Sequence, residues 1–174
     1  PCPMFSINQQ ECRMHFDSNT KKDDQPSATL QFTYRTSNDV LSEFSPDLKS
    51  SLYRRPRQDE GDMADNADPR LDDPGYLPCL KFPNMQNKVA LSEKVVGATV
   101  TVHHGIGGKS DPTMEECTVS KFRLDPQEGG TVVVSMEVDC VPTKEQAGEL
   151  HMKQNQDVVV SITPPDADEG QLQL

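Results

Sequence analysis

The alternation of apolar and polar positions is the strongest signal in the chain, and it is mostly of period two. In KVVGATVTVHH, Val96, Ala98, Val100 and Val102 share one face, while Thr99, Thr101 and His103 share the other. In GTVVVSMEVDC, Val132, Val134, Met136, Val138 and Cys140 all fall on one side. Between them MEECTVSKFRL keeps Cys117 and Val119 in phase and then shifts to Phe122 and Leu124, which predicts a bulge near Ser120–Lys121. Half-buried strands read this way, and these three predict an antiparallel meander with one face in the core. Earlier, ATLQFTYR puts Leu30, Phe32 and Tyr34 on one face, and Glu11–Phe16 is a weaker strand. Cys79–Phe82 and Asp157–Ile162 complete the set of predicted strands.

Helical signals are few and short. Ser37 or Asn38 is placed to cap a turn carrying Val40, Leu41 and Phe44. Ser45 followed by Pro46 opens a second helix with Leu48, Leu52 and Tyr53 on one side. Thr143 with Gln146 forms a capping box for TKEQAGELHMKQ, with Ala147, Leu150 and either His151 or Met152 facing inward. The fold class expected is therefore mainly β (α+β): an antiparallel meander, sandwich-like or barrel-like, with two or three short helices. One β-rich domain is expected over 1–162. It is interrupted by an acidic loop at 56–78 and followed by a flexible acidic tail at 163–174.

Composition makes this a lean core. Of 174 residues 33% are hydrophobic, Trp is absent, and the net charge is −11. Such a chain repels phosphate backbones unless its basic residues gather on one face. No apolar run approaches the ~20 residues that span a bilayer. The beginning of the chain lacks a charged stretch followed by a hydrophobic one, so a soluble protein of the cytoplasm is expected. Five widely spaced cysteines (Cys2, Cys12, Cys79, Cys117, Cys140) argue for reduced, packing thiols rather than a disulfide framework.

The candidate chemistries fall one by one. VHHGIGGKS ends like a phosphate-binding loop at Gly108, Lys109 and Ser110, but His103 stands where the first glycine is required. The segment after it has a strand pattern rather than the helix such a loop feeds. A glycine-rich hairpin loop is the expectation. His103 and His104, adjacent on a strand, point to opposite faces and cannot readily chelate one ion. Cys117, Cys140 and His104 would meet only in one register across the meander, and the thiols are expected to pack instead. No zinc spacing is present. No serine elbow or Cys/His context for nucleophilic catalysis is present either. No metal, cofactor or catalytic residue is expected, and a non-enzymatic role is the expectation.

Two charged features remain. YRRPR is the densest basic cluster, and Arg54, Arg55 and Arg57 beside Tyr53 suit a nucleic-acid backbone with one stacked base. Neutralising the neighbouring acidic loop is the plainer use of the same arginines. That loop holds seven carboxylates between Asp59 and Asp73, and its Asp62, Asp65 and Asp68 do not follow calcium-loop spacing. Asp59, Glu60, Asp62, Asp65 and Asp68 are candidate contacts for a basic partner. The terminal QLQL, with Gln171, Leu172 and Leu174, is a candidate partner-docking peptide.

The run Cys117 to Val132, C-x-V-x-K-F-x-x-D-x-x-E-G-G-T-V, resembles a family of small proteins encoded in bacteriophage and prophage genomes. The resemblance continues through a Q-x-G-x-L helix (Gln146, Gly148, Leu150), a closing V-x-x-S-I strand, and the upstream block SNDVLSEFSPDLKSSLYR. Its blocks are distributed between Ser37 and Ile162. It implies a phage protein acting in the host cytoplasm among genes of DNA replication, recombination or host takeover, and it supplies no catalytic residues. The function expected is an accessory protein binding single-stranded DNA or a replication or recombination partner. The alternative is an acidic inhibitor that mimics nucleic acid toward a host defence or nucleic-acid enzyme. The expected partners are thus a host or phage protein of nucleic-acid metabolism or single-stranded DNA, with self-association open and no membrane.

Overall fold

The computed structural model describes residues 5–20, 26–57, 73–103 and 111–165. In chain order the elements are β1 (Ile7–Thr20), β2 (Pro26–Ser37), α1 (Val40–Phe44), α2 (Leu48–Leu52), β3 (Tyr53–Arg54), β4 (Cys79–Leu80), β5 (Val89–Ala90), β6 (Val95–His103), β7 (Thr113–Gln127), β8 (Thr131–Cys140), α3 (Lys144–Met152) and β9 (Gln156–Thr163).

Six strands close into a barrel. The sheet runs β7-β6-β9-β1-β2-β8, and a further β7–β8 pairing joins its two edges, with β5 added outside β7. The β6–β7–β8 meander expected from the alternation is present. β9 returns through α3 to lie beside β6, which gives the spatial order β9-β6-β7-β8 of a Greek key. Closure leaves the long strands no unpaired edge, which a lean apolar composition would otherwise struggle to protect. The inward rows are the predicted ones: Val100, Val102, Val132, Val134, Val138, Leu30 and Phe32 are all fully buried.

Bulges explain where the alternation misleads. Val96 is 66% exposed although its parity matches Ala98, because Gly97 sits at φ +82 and the β6–β7 register shifts between Val96 and Ala98. The phase change expected near Ser120–Lys121 is present as φ +54 at Lys121, with Val119 and Ser120 both buried before it and Phe122 after it. In β1 the register shifts between Ile7 and Gln10, and Gln9 lies at φ +47. That offset hides the inward Ile7 from the later Cys12, Met14 and Phe16, so the strand is far longer than Glu11–Phe16.

The Thr143 capping box forms in both directions, with Gln146 N–H donating to Thr143 Oγ1 at 3.2 Å and Thr143 N–H to Gln146 Oε1 at 3.0 Å. Leu150 is fully buried, Ala147 is half-buried, and Met152 is 79% exposed, so the inward face of α3 is narrower than expected. The other helix starts move. Asp39 and Asp47 occupy the N-cap positions of α1 and α2, in place of Ser37 or Asn38 and of Ser45. Asn38 is buried instead and donates from Nδ2 to Leu77 O at 2.7 Å.

The chain divides into two compact units. One holds residues 1–34, 90–123 and 135–174, and the other 35–89 and 124–134. The first contains most of the barrel; the second contains α1, α2, the β3–β4 ribbon and the β7–β8 turn.

Candidate functional site

Helix α2 passes directly into β3, and the second unit's two-stranded ribbon pairs Tyr53 with Leu80 and Arg54 with Cys79. Lys81 N–H extends the ladder by donating to Leu52 O at 2.9 Å. The expected strand Cys79–Phe82 shortens to Cys79–Leu80, because Phe82 and Pro83 already enter a turn in which Met85 N–H donates to Phe82 O.

Tyr53 does not offer a stacking face. Its ring is buried, and its hydroxyl donates to Gln127 O at 2.7 Å with Thr131 O at 3.2 Å. Burial pushes the phenol up to about 12, with Glu128 and Asp125 adding to the effect. The tyrosine anchors the ribbon to the β7–β8 turn, so the contact with a base expected of Tyr53 is corrected. The exposed aromatic of this unit is Phe82, 48% exposed, with Met85 at 63% close behind it in the chain. Strand alternation places Phe82 inward with Leu80; only the turn at Pro83 marks the departure.

The three arginines remain on the ribbon and the segment that leaves it. Arg55 and Arg57 are exposed and Arg54 is half-buried. Arg54 Nη1 donates to Arg55 O at 3.0 Å, and Arg55 Nη2 donates to Asp73 O at 2.8 Å. These bonds to main-chain carbonyls help to orient the Arg54 and Arg55 guanidinium groups. Lys81 and Lys88 are exposed in the same unit.

Beside the segment that feeds β4 lies a cleft of about 330 Å³, lined by Asn38, Lys49, Asp73, Tyr76 and Gly130 among others. Lys49 Nζ bonds Asp39 Oδ1 and Gly75 O, both at 2.5 Å. The hydrogen bond from Lys49 holds the Asp39 carboxyl below its ordinary range. The tip of the β7–β8 hairpin closes one wall: Gly130 lies at φ +85, accepts from Asn38 N–H at 2.9 Å, and leaves only 3.4 Å to Asn38 Nδ2 for an added Cβ.

The remaining candidates from the sequence, Asp59, Glu60, Asp62, Asp65 and Asp68 and the tail residues Gln171, Leu172 and Leu174, lie outside the described residues. So do His104 and the glycines of VHHGIGGKS. The strands flanking that stretch do pair antiparallel, Thr101 opposite Thr113, and the next element is strand β7 rather than a helix. Cys117 and Cys140 meet inside the barrel. The neighbouring Cys117 thiol together with burial raises the Cys140 thiol, and Sγ of Cys117 and of Cys140 donate to Met114 O at 3.3 Å and to Ala28 O at 3.7 Å. Among the described residues no group of three or more His, Cys, Asp or Glu side chains is placed to hold a metal ion. No described helix is long and apolar enough to cross a membrane.

A second constellation leaves no trace in the sequence pattern. On the barrel, His103 at the end of β6 lies with Nε2 2.8 Å from Ser161 Oγ and Nδ1 3.3 Å from Asp111 Oδ2. The three residues are separated by 8 and 50 positions and match no local motif. Only the β6–β9 register, His103 opposite Val159 and Thr101 opposite Ser161, brings them together.

No family model matches the chain, and no curated protein or solved structure matches it either.

Proposed function

We propose that the chain is a binding module of phage nucleic-acid metabolism whose contact surface is the β3–β4 ribbon, engaging single-stranded DNA. The observation that carries this reading is the anchoring of the ribbon by Tyr53 while Arg54, Arg55, Arg57 and Lys81 stand on it with exposed Phe82 beside them. Cations of this density neutralise phosphates, and a neighbouring aromatic offers a sequence-tolerant platform for a base. The phage assignment rests on the sequence resemblance alone, carried by the Cys117–Val132 run and the blocks that accompany it. A mobility shift with labelled single strands at low salt tests the reading, and no shift at tens of micromolar protein refutes direct DNA binding.

A second reading is favoured by the charge of the barrel, where Glu11, Asp17, Glu115, Glu116, Asp139 and Asp157 are exposed. On that reading the chain is an acidic inhibitor that occupies a basic host defence or nucleic-acid enzyme. Capture of a host protein that persists after nuclease treatment distinguishes it from DNA-mediated association.

A further inference from the structure

We infer that Ser161 is a nucleophile activated by His103, and that this face of the barrel forms an acyl-transfer site for small activated esters. Hydrogen-bond polarity leads there. Gln9 N–H donates to Ser161 Oγ at 3.0 Å, so the serine hydroxyl proton is directed elsewhere. His103 Nε2, at 2.8 Å, is the acceptor in reach. That role requires the proton of the neutral ring to sit on Nδ1, and Asp111 Oδ2 stands opposite Nδ1 at 3.3 Å to receive it. The Asp111 side chain is only 9% exposed, so its carboxylate acts at short range with little screening. An acid that orients a base, and a base that holds a hydroxyl proton, are the arrangement that activates a serine.

The backbone at Gln9 is an independent observation. Its φ of +47 is unusual for a residue with a side chain, and it falls within the β1 bulge between Ile7 and Gln10. The bulge takes the Gln9 N–H out of the β1–β9 ladder and aims it at Ser161 Oγ. Bulges that re-aim a group in this way gather beside active sites.

The reaction balances on these atoms. Ser161 Oγ attacks the ester carbonyl carbon, forming a C–O bond as its proton passes to His103 Nε2. Collapse breaks the bond to the leaving oxygen, which takes that proton and departs as an alcohol or phenol. Water deprotonated by the same Nε2 then releases the acid and restores the serine. No pair of oxyanion donors accompanies the three residues among the described contacts. Such donors contribute about 10²–10³-fold, so acylation is expected to be slow and turnover slower.

The test uses the whole chain with a fluorophosphonate probe, followed by intact mass and peptide mapping. One equivalent on Ser161 is expected, and none with Ser161→Ala. His103→Gln is expected to slow labelling by about 10²-fold or more, the size of a general-base contribution. Asp111→Asn serves as the second variant should His103→Gln fail to melt cooperatively, and it is expected to slow labelling by at least about tenfold through loss of ring orientation. Absence of labelling, labelling spread over other serines, or labelling of Ser161 that a folded His103→Gln or Asp111→Asn variant leaves unchanged overturns the inference. Loss of DNA binding in ribbon variants leaves this result untouched, so the two sites fail or succeed separately.

Discussion

The phenolic hydroxyl of Tyr53 donates to the main-chain carbonyl of Gln127 across 2.7 Å, tying the arginine-bearing ribbon to the turn between the two longest meander strands. A side chain whose neighbours in sequence suggest contact with a ligand is instead the fixing point that holds those neighbours in place.

Removing that hydroxyl is expected to cost about 1–2 kcal/mol, because a buried carbonyl loses its donor. Tyr53→Phe, measured by urea unfolding near neutral pH, is the check. The raised phenol adds a pH signature. The folded state favours the neutral form, so this stability is complete below the ordinary tyrosine value of 10 and is lost as pH rises toward about 12. The stability difference between the natural chain and Tyr53→Phe is therefore expected to shrink between pH 9 and pH 12.

Two glycines are expected to respond in opposite directions to alanine. Gly130 lies at φ +85 with Asn38 Nδ2 3.4 Å from the added methyl, so Gly130→Ala is expected to destabilise by at least about 1 kcal/mol. Gly148 is helical with nothing within 4 Å, so Gly148→Ala is expected to stabilise by about 0.5–1 kcal/mol. Denaturant midpoints of the two variants check both signs.

The features legible in the sequence are those that depend on neighbours in sequence. The inward row of β8, the Thr143–Gln146 box and the phase break at Lys121 are written in residue type and local spacing. Closure into a barrel is only one of several options at that level, because the β1–β9 and β2–β8 pairings are decided by register between strands distant in sequence. The anchoring role of Tyr53 is hidden for a related reason. Its partners are carbonyls of Gln127 and Thr131, and main-chain groups carry no signature in sequence. The His103, Asp111 and Ser161 group is invisible because a local motif cannot encode two strands brought side by side.

Thiol reactivity offers a third check on the barrel interior. Cys12, Cys117 and Cys140 are buried, and burial together with the nearby Glu11 pushes the Cys12 thiol up to about 12. Cys79 is half-buried at the ribbon. Timed alkylation of the native chain with peptide mapping is expected to modify Cys79 well before those three, since burial shields them from the reagent. Equal rates would contradict the packing described.

Thr143→Ala removes one half of the capping box that starts α3, the connection that carries the chain from β8 to β9. A loss of about 0.5–2 kcal/mol is expected by thermal or urea unfolding. Thr143→Ser, which keeps the acceptor oxygen, is expected to retain most of the stability.

The role of the arginine ribbon is decided by the salt dependence of single-stranded DNA binding. Fluorescence anisotropy follows it for the natural chain and for a variant with Arg54, Arg55 and Arg57 all changed to Gln. Weaker binding is expected in the variant, with a slope of log K against log salt that is shallower by about 2, at ~0.7 for each phosphate of a single strand left without its cation. Equal affinity and equal slope in the two proteins would contradict DNA binding through the ribbon.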